Sequence, residues 1–112
     1  MEELKAKIND FLVYLNGESA KYWAEMGYTH NTPPTYEAVY SSEKWAKIVR
    51  VEMRGDKPTQ TAVEHFVCLQ DGQTKMLGYL KQGDIFKSAS ATQPAKHARG
   101  SVYNSIFLYK GK

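Results

Sequence analysis

Two adjacent prolines, Pro33 and Pro34 in "HNTPPT" (30–35), divide the chain into halves with different hydrophobic periods. Such a stretch cannot be helix interior or a central strand, because proline lacks an N–H and fixes its own φ. It is a connector. Before it, Leu4, Ile8, Phe11, Leu12 and Leu15 recur at the helical spacing, with Glu2 and Glu3 at the positive helix start. Asn16-Gly17 interrupts that pattern. Tyr22, Trp23 and Met26 then resume an apolar face, and Gly27 is a stop. One helix through Gly17 is expected, since a lone glycine costs only about 1 kcal/mol in a helix.

After the connector every signal is β. "YEAVY" (36–40) is a short strand. "KWAKIVRVEM" (44–53) alternates, with Trp45, Val49, Val51 and Met53 on one face and Ala46, Arg50 and Glu52 on the other. "RGDKP" (54–58) is a turn. "AVEHFVCLQ" (62–70) is almost continuously apolar, as in a buried strand. "DGQ" (71–73) signals a hairpin. "KMLGYL" (75–80) and "DIFK" (84–87) read as two short strands, 87–104 as a loop, and "VYNSIFLYK" (102–110) as the strand that closes the sheet.

No helical pattern intervenes among these strands, so a parallel sheet is excluded. The strands are too few for two sandwich sheets. A bent barrel is the economical way to remove exposed edges. The expectation is one mainly β domain over 1–112, with an N-terminal helix (1–27) and a small, strongly bent five-stranded antiparallel barrel (36–112), Sm-like or SH3-like. Its expected core is Trp45, Val49, Val51, Val63, Val67, Leu69, Ile85, Ile106 and Leu108, with Leu4, Ile8, Phe11 and Leu15 packing the helix onto it.

At 112 residues there is no room for a second core, and 42% hydrophobic residues are too many for a disordered chain. No apolar run approaches the roughly 20 residues of a membrane span. "MEELKAKIND" lacks the apolar core of a signal peptide, and the single cysteine, Cys68, cannot pair within the chain. A cytoplasmic location is the simplest expectation, with no membrane partner.

Charge is distributed unevenly. Residues 1–84 hold all 12 acids and sum to −2, whereas residues 85–112 hold no acid and sum to +5. "KSASATQPAKHARGSVYN" (87–104) lies in this basic block. Lys87, Lys96 and Arg99 are suited to neutralising phosphates. His97 and Ser88 offer hydrogen bonds, Tyr103 a stacking face, Asn104 an edge-reading amide, and Gly100 a close backbone approach. The bland alternative is a rigid loop whose cations pair with Asp84 or with acids of another subunit.

Catalysis finds less support. RNA cleavage by general acid–base chemistry needs two proton-transfer groups around one phosphate, and His30 and His65 lie outside the basic block. No Walker-type loop or Ser/His/Asp signal is present. His65 and Cys68, three apart on a strand, fall on opposite faces and cannot share a metal. The chain is expected to be a non-enzymatic binder without metal or cofactor. His65 is expected as a core or edge residue, and Cys68 as a small buried hydrophobe.

"GDIFKSAS" (83–90) followed by "PAKHARG" (94–100) resembles a motif of small bacteriophage proteins described as Sm-like. That family commonly has Trp-Lys where this chain has "ATQ" (91–93), so an aromatic is missing there. The resemblance implies a strongly bent five-stranded barrel after an N-terminal helix, assembly into a homo-oligomeric ring, and residence in the host cytoplasm. It further implies binding of single-stranded RNA or DNA at the basic segment. Tyr14, Tyr22, Tyr28, Tyr36 and Tyr40 are candidates for subunit contacts, where tyrosine is enriched. The alternative is a phage interaction protein that binds a host protein or a small anionic nucleotide, for which three cations would suffice.

Overall fold

The computed structural model describes residues 2–27, 32–40, 42–75 and 77–103. Helix α1 spans Glu2–Glu25 and seven strands follow: β1 (Thr35–Val39), β2 (Trp45–Arg54), β3 (Lys57–Cys68), β4 (Gly72–Thr74), β5 (Gly78–Leu80), β6 (Asp84–Ser88) and β7 (Pro94–Ser101). Five of them form one antiparallel sheet in the order β1-β2-β3-β6-β7, and β4 and β5 form a separate small hairpin. The five-stranded sheet curls strongly into a half-barrel, so the expected mainly β fold class with an N-terminal helix is borne out.

The curl has a local cause in β3. Ile48 pairs with His65 but Val49 with Val63, which leaves Glu64 as an extra residue. Arg50 pairs with Ala62 but Val51 with Gln60, which leaves Thr61 as a second one. Each bulge bends its strand and adds right-handed twist. Two within one long strand turn a flat ribbon into a trough.

Helix α1 runs unbroken through Gly17 and stops before Gly27, whose φ of 73° is the left-handed conformation that ends a helix. Leu4, Ile8 and Phe11 are fully buried against the sheet. Beyond Gly17 the expected apolar face is only partly covered: Trp23 is half-buried, whereas Tyr22 and Met26 are exposed. Two polar contacts fasten the helix on either side of Gly17. Asn16 Oδ1 accepts the Tyr36 N–H at 2.7 Å, and Ser19 Oγ donates to Pro34 O at 2.6 Å. Asn16 is thus the helix's clamp on the edge strand β1, not an interruption.

The core is divided between the two faces of the sheet. On the helix side, Ala46, Ile48, Val67, Leu69, Ile85 and Val102 pack with Leu4, Ile8 and Phe11. On the other side, Phe66, Cys68, Leu80 and Phe86 pack with half-buried Trp45, Val63 and Leu77. Trp45 presents its edge to Phe66 and Phe86 at 6.0 and 5.5 Å between centroids. Trp45 and Ala46 thus lie on opposite faces of β2, as the alternation expects. Trp45 lies on the far face, and the helix seats on the smaller Ala46 and Ile48. Val49 and Val51 are buried as expected, whereas Met53 is exposed. Leu15 is half-buried against the helix-side core. Ile106 and Leu108 lie outside the described residues.

The other corrections concern strand order. The expected strand 75–80 is the tip and second arm of the β4–β5 hairpin, and it covers the Phe66 face rather than joining the main sheet. The expected loop 87–104 contains β7, the fifth strand of the sheet. Most of the expected closing strand, 102–110, lies outside the described residues.

Candidate functional site

The basic segment is a β-hairpin at the edge of the described sheet. Lys87 and Ser88 end β6, residues 89–93 turn, and β7 carries Lys96, His97, Arg99 and Gly100 in its backbone. The turn is tied by its own serine: Ser90 Oγ accepts the N–H groups of Thr92 and Gln93, each at 3.2 Å. Ala89 and Ser90 donate their N–H groups to Gln93 O. Pro94 fits because the first residue of a strand tolerates a missing donor. Ser88 Oγ donates to Val63 O, so this hydroxyl fastens β6 to β3.

The register of β7 on β6 is irregular where the cations lie. Ser88 pairs with Pro94 and Phe86 with Ala98, so Lys87 alone faces Ala95, Lys96 and His97. Ile85 pairs with Gly100, so Arg99 is also an extra residue. Bulges of this kind re-aim side chains and recur beside functional sites. Four of the eight residues singled out from sequence (Lys87, Lys96, His97 and Arg99) are thus brought to one irregular stretch of one hairpin. Gly100 is a regular ladder residue, Tyr103 follows the end of β7, and Asn104 lies outside the described residues.

Asp84 Oδ2 accepts the backbone N–H of Lys81 at 3.1 Å. The Arg50–Glu52 ion pair, 3.3 Å apart, lies on β2, separated from the hairpin by β3.

One neighbour of the hairpin was not placed there by sequence reasoning. His65 on β3 is the cross-strand partner of Lys87. His65 is 8% exposed, and its ring meets Phe11 of α1 edge-on, 5.6 Å between centroids at 82°. Burial, with Lys87 beside it, lowers its pKa to about 4. The only available signal was its position in an apolar run, which reads as core, and core it is. His65 therefore packs helix to sheet as a neutral ring. Cys68 is buried on the opposite face, where its thiol donates to Gln70 O at 2.9 Å and burial raises its pKa. The two residues are on different faces, as alternation requires. Among the described residues no group of three or more His, Cys, Asp or Glu comes together in a metal-binding cluster, and no helix is long and apolar enough to cross a membrane.

The His65 environment predicts how stability depends on pH. Its folded pKa lies below the ordinary 6.5, so the unfolded chain binds the proton more readily. The stability linked to this group is full above pH 6.5 and is lost as pH falls toward 4. The loss from this residue is roughly 3 kcal/mol. Urea unfolding at neutral pH and at the lower end of that window should show it, and His65→Phe should remove most of the difference. An undiminished difference in His65→Phe would place the acid sensitivity elsewhere.

Of the tyrosines expected at subunit contacts, Tyr14 and Tyr36 pack partly against the helix-side core, Tyr22 and Tyr40 are exposed, and Tyr28 lies outside the described residues. Lys5 Nζ lies over the Tyr40 ring, 5.0 Å from its centroid. Compared with known proteins, the chain matches no family model, no curated protein and no solved structure.

Proposed function

We propose that this protein is an Sm-like, bacteriophage-type binder of single-stranded RNA or DNA, working as a homo-oligomeric ring in the host cytoplasm, with the β6–β7 hairpin as its contact surface. The observation that carries this reading is the coincidence of charge and irregular backbone. Lys87 faces the stretch with Lys96 and His97, Arg99 sits at the next bulge, and no acid occurs anywhere after Asp84. A phosphate chain needs closely spaced cations with no competing carboxylate. In the described sheet β7 is an edge strand, and an edge leaves one row of backbone N–H groups available to phosphate or base. The ring is supported by the two edges, β1 and β7, that the described sheet leaves open to pairing.

The direct test is the affinity of a fluorescently labelled single-stranded RNA for the wild type and for a Lys96→Ala/Arg99→Ala double variant. The variant should bind several-fold more weakly and melt within a few degrees of the wild type. Its salt dependence should flatten by about 0.7 per lost phosphate contact. Unchanged binding would move the contact surface elsewhere. A variant that dissociates into monomers, beside a wild type that binds no RNA, would make the hairpin a clasp between subunits.

A further inference from the structure

Tyr103, two residues after the basic hairpin, is held by several contacts. Tyr103 lies across Gly83, against which one part of its ring is pressed: a Cβ built on Gly83 would meet ring carbons Cδ2 and Cε2 at 2.6 Å. Gly83 also has a φ of 93°, so a side chain there would be strained as well as obstructed. The backbone before Tyr103 is anchored, because Val102 is buried in the core and donates its N–H to Gly83 O at 2.9 Å. The Tyr103 N–H donates to Ser101 Oγ at 3.2 Å. The far end of the ring is fixed too. Tyr103 OH donates to Gln82 Oε1 at 3.3 Å, Gln82 Nε2 donates to Leu69 O at 3.2 Å, and the Gln82 N–H donates to Asp71 Oδ1 at 2.7 Å.

Despite these contacts Tyr103 is 39% exposed. A ring backed by a glycine and tethered at its hydroxyl, yet open to solvent, is a flat apolar surface fixed before any ligand arrives. It follows β7 by two residues, at the end of the β6–β7 hairpin opposite its turn, so a strand lying along the hairpin would reach it after the stretch that carries Lys96 and Arg99. Stacking on an aromatic ring tolerates any base, and a ring whose rotamer is already fixed loses little entropy on binding.

We infer that Tyr103 is a preset stacking platform for one base of a single-stranded nucleic acid, and that Gly83 and Gln82 are positioning residues that hold its ring. This rests on the nucleic-acid reading of the hairpin and adds the group that takes the base.

The test uses the full chain and a short single-stranded RNA carrying 2-aminopurine, whose fluorescence is quenched when the base stacks. The wild type should quench it. Tyr103→Leu keeps apolar bulk without the aromatic face. It should fold, retain the wild-type salt dependence, lose the quenching, and bind about tenfold more weakly. Gln82→Ala should give partial quenching with intermediate affinity, whereas Tyr103→Phe should keep the quenching. If Tyr103→Leu quenches and binds like the wild type, the platform is refuted while nucleic-acid binding stands. If Gln82→Ala is indistinguishable from wild type, its positioning role is refuted. If the wild type binds no RNA even at low salt, the hairpin reading fails and the platform fails with it.

Discussion

The Val67→Asp chain is expected in the insoluble fraction, with no cooperative melt after refolding. Val67 is fully buried at the centre of the sheet, paired with Ala46 on one side and Ile85 on the other, in the cluster beneath α1. A carboxylate there would have to stay neutral or remain charged without a partner, and either costs several kcal/mol. That is comparable to the whole stability of a domain this small, about 5–15 kcal/mol. The same substitution at exposed Glu37 or Lys75 should be silent. A soluble Val67→Asp protein melting near the wild-type temperature would contradict the placement of β3.

The second large effect is expected from Phe11→Ala. Phe11 is fully buried and joins the helix to the sheet through the edge-on contact with His65. Removing the ring should cost about 3–5 kcal/mol through lost burial and the cavity left behind. It should also admit water to His65, so that the imidazole titrates closer to its ordinary value and the acid-linked loss of stability shrinks. Urea unfolding gives the first quantity, and an NMR titration of the imidazole protons gives the second. A loss below about 1 kcal/mol would mean that α1 is not docked through this side chain.

These two residues also indicate what the sequence makes legible. Leu4, Ile8 and Phe11 declare the helix because one buried stripe repeats every 3.6 residues. The run from His65 to Leu69 declares a strand buried on both faces, as it proves to be. The choice of face on β2 was not legible. The larger Trp45 draws attention to one side, but close seating of a helix favours the smaller Ala46, and the small β4–β5 hairpin supplies a separate cover for the tryptophan. Periodicity cannot report which of two apolar faces a distant element will cover.

Strand β7 was hidden for a different reason. "PAKHARGS" has no two-residue alternation because its ladder with β6 is bulged, and bulges shift the period. Pro94 and Gly100, which frame a loop in most sequences, here occupy a strand start and a regular ladder position. The run of cations was legible from composition, but the register that sets Lys87 opposite residues 95–97 was not. The approach of His65 to Lys87 and the seat of Tyr103 on Gly83 join residues 22 and 20 positions apart, and no local pattern encodes such contacts.

The central claim is that the hairpin meets a phosphate chain, and the slope of affinity against salt measures this most directly. Equilibrium titrations of single-stranded RNA across a range of monovalent salt should give log K falling with log salt at a slope of about −2 or steeper. That is the slope for three phosphate contacts from Lys87, Lys96 and Arg99 at about −0.7 each. A slope near zero, or no binding at low salt, would contradict it and favour a small ligand or a protein partner at this edge.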